Sequence, residues 1–181
     1  MSDNPPEKKS RPRWRRYVLE GLVFVGLILI IHFWQTRHVP SGPAPQFVGQ
    51  LSSGEVISLA SFRAAHPDQP VVLHFWAEWC PICRAEEGNV DALLKDAPVL
   101  TIAMQSGNAA AVNQVLQQRQ MQWPTLVDED GALSARYGVH SVPAFIVVDA
   151  NGTLRFAEPG YITTVGMRWR LWWARHFPAK V

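Results

Sequence analysis

Cys80 and Cys83 are the only two cysteines in the 181-residue chain, and two residues separate them. Thiols at this spacing close as a disulfide and reopen as a dithiol, so two-electron thiol–disulfide exchange is the first chemistry they offer. They follow an apolar run and open a stretch of helical character. Cys80 therefore belongs at a helix N-terminus, where unpaired N–H groups and the dipole favour a thiolate. Pro81 falls in the first turn, where its missing N–H costs nothing. Cys80, in a polar and partly exposed setting, reads as the attacking thiol. Cys83, one turn further in, reads as the more buried resolving thiol.

Other uses of a cysteine pair fit less well. A structural zinc takes four protein ligands, and there is no second pair. A c-type haem needs His after the second cysteine, where Arg84 stands. Two inert structural thiols, or a Cu(I) site made of both thiolates, stay open as alternatives. Met104, Met121 and the histidines add no further metal motif, so neither a metal nor a cofactor is expected.

The elements that must position the pair are legible on both sides of it. Phe47–Gln50 and Glu55–Leu59 flank Ser52-Ser53-Gly54 as a hairpin, and Ser61–Ala65 reads as a helical turn. Val71–Trp76 is apolar without alternation, as a central strand buried on both faces should be. The helix from Cys80 to about Lys95 turns Val90, Leu93 and Leu94 inward. A strand at Pro98–Met104 and a helix from an Asn108 cap to about Met121 follow. Next come a strand at Pro124–Val127, a helix at Leu133–Tyr137 and a strand at Ala144–Asp149. Asn151-Gly152 turns into a return strand, Thr153–Ala157. A last helix, Thr163–Phe177, carries Val165, Trp169, Trp172, Trp173 and His176 at helical spacing and reads as packing on the core; with Arg168, Arg170 and Arg175 on the same helix, contact with an anionic membrane surface is the alternative. Alternating strands and helices with a terminal hairpin give an α/β class, a mixed central sheet covered by helices on both faces.

Within this frame His74 points inward and reads as a neutral, hydrogen-bonded core histidine. A proton relay to Cys83 is its functional alternative. Glu86 and Glu87 read as solvated carboxylates that offset the helix dipole, with tuning of Cys80 by one of them as the functional alternative. Trp76 and Trp79 read as packing residues, Trp79 also as a shield over the dithiol and an apolar contact for substrate.

The chain is long enough for one domain and an appendage, with 48% hydrophobic residues. Residues 1–16 hold Lys8, Lys9, Arg11, Arg13, Arg15 and Arg16 against Asp3 and Glu7, so the remainder is slightly acidic although the whole carries +2. With no basic body, no nucleic-acid partner is expected. Residues 17–34 have Glu20 as their only charge, and at ~1.5 Å per residue a helix of that length spans roughly 27 Å, a bilayer core. Trp14, Tyr17 and Trp34 bracket it, and the basic arm sets its orientation. The expected plan is a cytoplasmic basic arm (1–16), a single transmembrane anchor (17–34), a Pro-rich linker (35–45) and a catalytic domain (46–181) on the periplasmic side of the inner membrane. A cleaved signal peptide, with Val39-Pro40-Ser41 as the cleavage context, is the alternative.

Phe75-Trp76-Ala77-Glu78-Trp79-Cys80-Pro81-Ile82-Cys83 resembles the active-site segment of thioredoxin-fold proteins. Ser141-Val142-Pro143-Ala144 resembles their loop with a cis-proline opposite the dithiol. With the leading hairpin, the helix after Asn108 and the anchor, the chain resembles the TlpA-like membrane-tethered branch, most of all its suppressor-of-copper-sensitivity protein D group. The resemblance implies a thioredoxin-like fold over about 46–177. It implies a protein disulfide oxidoreductase exchanging with protein disulfide or dithiol substrates, with electrons from a membrane thiol transporter and copper stress as a setting. It also implies that Pro143 is cis and that the Val142 backbone binds an extended substrate. Thioredoxin has a buried Asp where His74 stands. Thioredoxins of cytochrome c maturation carry Gly-Ala-Pro-Glu at the proline loop, where Val142 and Ala144 flank Pro143 here; that role is a further alternative.

Overall fold

A computed structural model of the chain describes residues 13–36 and 42–179. The arm before Arg13 and residues 37–41 of the linker lie outside the described residues. The chain divides into two compact units, Met1–Arg37 and His38–Val181. In the first, α1 (Arg13–Thr36) is one continuous helix. Its apolar side chains from Val18 to Leu27 are exposed, Leu22 and Val23 at 65% each. Among the described residues no helix is long and apolar enough to cross a membrane. The side chains of 28–36, on which a span over 17–34 depends, lie outside them.

The second unit runs β1 (Val48–Gln50), β2 (Val56–Ser58), α2 (Leu59–Ala64), β3 (Val71–Trp76), α3 (Pro81–Leu94), β4 (Val99–Met104), α4 (Ala109–Gln118), β5 (Thr125–Asp128), α5 (Ala132–Arg136), β6 (Ala144–Val148), β7 (Leu154–Pro159) and α6 (Thr164–His176). Five strands form one sheet in the order β5-β4-β3-β6-β7. β3, β4 and β5 are parallel; β6 and β7 join antiparallel. The expected mixed sheet is present, and β1 and β2 make a separate two-stranded one. Gly49 of β1 lies so close to β5 that a Cβ there would stand 2.9 Å from Leu126 Cδ1.

β3 is central, and all six of its residues are buried. Val72 and Trp76 join a core with Cys83, Val90 and Leu93 of α3, Val112 and Leu116 of α4, and Met167 and Leu171 of α6. Val71, Leu73 and Phe75 join the opposite core with Phe47, Leu59, Phe62, Leu133 and Tyr137. Helix starts follow local chemistry: Ser58 and Ser61 form a reciprocal capping box on α2, and Asn108 and Thr163 cap α4 and α6.

One expectation is corrected. The core face of α6 is Met167, Leu171 and Ala174, while Trp169, Trp172 and Trp173 are 56%, 45% and 38% exposed. Both stripes have the helical period, and α6 packs against α3 and β6. Met, Leu and Ala let the helices approach closely; a row of indoles does not.

Candidate active site

The C-terminal end of β3 delivers Ala77-Glu78-Trp79 to a turn closed by the Cys80 N–H donating to Ala77 O at 3.2 Å. Neighbouring loops pin this turn. The Glu78 N–H donates to Ser106 Oγ at 3.0 Å, and the Trp79 indole N–H to Gln105 O at 3.1 Å. Arg119, at the end of α4, donates to Glu78 O at 3.1 Å and to Glu87 at 2.8 Å. Cys80 is then the N-cap of α3 and Pro81 its first residue.

Across the strand pairing, Phe75 stands opposite Ala144. That register brings the loop before β6 beside the dithiol. The Val142–Pro143 peptide is cis, as the resemblance implied. Pro143 O accepts the Gly160 N–H at 2.7 Å, and Val142 O lies 3.5 Å from Cys80 Sγ.

Cys80 and Cys83 are joined as a disulfide. Cys80 Sγ accepts the Cys83 N–H at 3.0 Å. A disulfide sulfur carries no proton, so the approach to Val142 O becomes a hydrogen bond only when Cys80 is a thiol. The Cys83 N–H and the N-terminus of α3 favour the thiolate instead. Both cysteines are 3% exposed, so the expected contrast in exposure between them is absent. As N-cap, Cys80 turns its sulfur back over the helix and under Val142. The accessible rim is Trp79 (57% exposed), Ile82 (51%) and Pro81.

Beneath the dithiol the layer between β3 and α3 contains two titratable groups. His74 is 1% exposed and Glu86 fully buried, with His74 Nε2 3.7 Å from Glu86 Oε2. Burial lowers His74 to about 3. Burial raises Glu86 to about 7, although the Ile162 N–H donating to its other oxygen works the opposite way. Near pH 7 His74 is therefore a neutral imidazole, while Glu86 is divided between carboxylic acid and carboxylate. Among the described residues neither His74 nitrogen nor Glu86 Oε2 has a hydrogen-bond partner, which corrects the expectation of a hydrogen-bonded His74. The imidazole instead meets the Trp123 ring edge-on at 6.0 Å. Trp76 packs on the same Trp123, whose indole N–H donates to Asp91 at 2.6 Å.

Glu86 is the residue that the sequence reading misplaced as solvated. The signal was present: Glu86 lies three residues after Cys83 and four before Val90, on the stripe that α3 buries. Gln105, Ser106 and Arg119 were missed for a different reason. They come from elements distant in sequence, and the bonds by which they hold the turn each have a backbone atom at one end, Glu78 N, Glu78 O or Gln105 O. Trp79, Pro81, Val142 and Pro143 gather around the cysteines as expected, whereas His74 lies a layer below.

Residues 40–157 match the family model described as AhpC/TSA family. The chain belongs to the AhpC/TSA family. It is 27% identical over 157 residues to a Haemophilus influenzae protein named thioredoxin-like protein, covering 86% of this chain and 91% of that one. It is 25% identical over 157 residues to the thiol:disulfide interchange protein DsbE of Tatumella citrea, covering 77% and 85%. The crystal structure of a secreted Mycobacterium tuberculosis disulfide oxidoreductase is 28% identical, with a TM-score of 0.58 over 70% of this chain and 94% of that one. The fold is thus the thioredoxin-like α/β fold that the motifs implied.

Proposed function

We propose that this chain is a membrane-tethered, periplasm-facing thiol–disulfide oxidoreductase that exchanges electrons with protein substrates through Cys80 and Cys83. The observation that carries the chemistry is the disulfide at the start of α3, with Cys80 Sγ accepting the Cys83 N–H and facing the Val142–Pro143 loop. In the reducing direction the Cys80 thiolate attacks a substrate disulfide, forming a mixed disulfide and releasing one substrate thiolate. The Cys83 thiol gives up its proton and attacks Cys80 Sγ, closing the Cys80–Cys83 disulfide and releasing the second substrate thiolate. Two electrons pass to the substrate, and the oxidising direction is the reverse sequence. An extended substrate segment lies along the Val142 backbone, against Trp79 and Ile82.

Glu86 supplies what the resolving step needs, a carboxyl on the same buried stripe as Cys83 with its pKa raised to about 7. A group near that value takes a proton or gives one back at neutral pH. His74 flanks Glu86 and keeps its surroundings polar without competing for the proton.

The tether is supported by the uncharged run after Glu20, by the basic arm before it, and by the outward-facing apolar side chains of α1. A membrane thiol transporter as electron source, and copper stress as the setting, rest on the resemblance to the TlpA-like branch. Membrane fractionation tests the tether: the chain stays with membranes after alkaline carbonate, and release of a shortened protein overturns it. The chemistry is tested by Cys83→Ala in cells. This variant accumulates mixed disulfides on Cys80, and a folded variant that traps nothing overturns the assignment. Equilibration with Cu(I) and with glutathione buffers separates exchange from copper binding, because exchange predicts a defined two-electron potential without tight copper uptake.

A further inference from the structure

α6 presents a face that the fold does not use. Val165 (77% exposed), Trp169, Trp172, Trp173 and Phe177 (50%) form one apolar stripe toward solvent. The rings hold one another: Trp169 stacks on Trp172 at 5.1 Å, and tilted contacts join Trp172 to His176 at 4.7 Å and Trp173 to Phe177 at 4.6 Å. We propose that this face docks on an anionic phospholipid surface.

Three observations select that occupant. First, indoles on a helix beside cations are the composition of an interfacial helix, because the ring is apolar and its N–H seeks the headgroup level. Second, the charge has one sign. α6 contains Arg168, Arg170, Arg175 and His176 and no acidic residue. Arg170 is held by Glu158 at 3.0 Å and Arg168 by Asp96 at 2.7 Å, while Arg175 has no ion-pair partner among the described residues. Beside Trp172 a groove of about 240 Å³ runs between α3 and α6, lined by Leu93, Pro98 and Leu171, by the ion-paired Arg168 and Asp96, and by Arg175, whose guanidinium is left as its uncompensated charge. An apolar lining beside a cation suits the upper acyl chain and phosphate of a lipid. Third, the face ends where the chain enters this unit. Arg155 donates to Phe177 O at 2.7 Å and Asn151 to Ala179 O at 3.3 Å, and the same β6–β7 turn receives the Ala44 N–H at Gly152 O, 2.8 Å. The dithiol stands at the other end of β6, so a docked face leaves it free.

The inference does not depend on α1 being an anchor, and the unit 38–181 tests it. That unit has its own cores on both sides of the sheet, and an equivalent domain makes up 94% of the solved Mycobacterium chain. The measurement is co-sedimentation with vesicles of phosphatidylglycerol mixed into phosphatidylcholine, and with phosphatidylcholine alone. The unit binds the anionic vesicles at least tenfold more tightly, and binding weakens as salt is raised. Trp169→Ser with Trp172→Ser weakens it by a further tenfold or more, and Arg175→Gln by about fivefold. Both variants keep the parent's exchange rate, which shows that they are folded. Absence of binding by the parent, or equal binding by the tryptophan variant, overturns the proposal. So does a dimer in sedimentation velocity that the tryptophan variant dissolves, which would assign the face to a second copy.

Discussion

The two faces of the central sheet are built from alternate residues of the same strands, yet they do different work. On one side β3 places Val71, Leu73 and Phe75 against the hairpin, α2 and α5, and the buried hydroxyl nearby, Tyr137, donates to Pro45 O at 2.7 Å. Apart from such satisfied groups this layer is hydrocarbon. On the other side the same strand places Val72, His74 and Trp76 under α3, together with both cysteines and Glu86. His74, Trp76 and Glu86, each with a buried polar atom that no hydrogen bond satisfies among the described residues, are collected in one layer, under the helix whose N-terminus holds the dithiol, whereas the buried Asp128 carboxylate on the other side is fully bonded to α5. The contrast teaches that thiol chemistry here is a property of a layer, and that the opposite layer supplies the cohesion that tolerates it.

This division can be broken experimentally, in order of expected effect. Cys80→Ser should lower the rate of insulin disulfide reduction by roughly three orders of magnitude or more, because a hydroxyl is not ionised near neutral pH as a thiol is. Circular dichroism should be unchanged, and retained exchange would show that the reactive layer is misassigned. Leu73→Ala, on the opposite face, should cost about 3 kcal/mol in denaturant unfolding through the cavity it leaves. The dithiol potential should move by less than about 30 mV, the equivalent of ~1.4 kcal/mol. A large shift in potential would mean that the two faces are not separable.

Glu86→Gln sharpens the comparison through pH. The folded pKa of Glu86, about 7, is raised above its ordinary 4.5. Its contribution to stability is therefore complete below pH 4.5 and is lost as pH rises through 7. Relative to Glu86→Gln, the parent should lose up to about 3 kcal/mol across that window, an upper limit from the pKa difference. A flat difference would show that Glu86 does not titrate there. His74, lowered to about 3 from 6.5, slopes the other way: its contribution is complete above pH 6.5 and is lost as pH falls toward 3. Smallest of all, Tyr137→Phe should cost about 1 kcal/mol by removing one buried hydrogen bond, with no change in exchange rate.

Much of this was legible in the sequence because it is local. The unalternating run at Val71–Trp76, the N-cap position of Cys80, the Asn108 cap and the Asn151-Gly152 turn each act within a few residues. The cis Val142–Pro143 peptide was legible only through the resemblance of its loop. What escaped was set by packing between distant elements. Helical period marks two stripes on α6 and does not say which one β6 and α3 will accept. The same period placed Glu86 inward on α3, but the chemical habit of a carboxylate argued for water, and burial won. The anchoring of Glu78 and Trp79 by Ser106, Gln105 and Arg119 joins residues too far apart in sequence for any local rule to pair them.

The entry of the chain into the domain has a mechanical meaning. Ala44 donates to Gly152 O and Leu154 donates to Gly42 O, both at the β6–β7 turn, around the antiparallel bridge between Pro43 and Thr153. Tension applied through residues before 42 is borne first by that clasp at the sheet edge. It would have to travel the length of β6, roughly 13 Å at ~3.3 Å per residue, before it moved the peptide that faces Cys80. Tension on the chain ahead of Gly42 thus meets the clasp first and leaves the geometry of the sulfur atoms undisturbed.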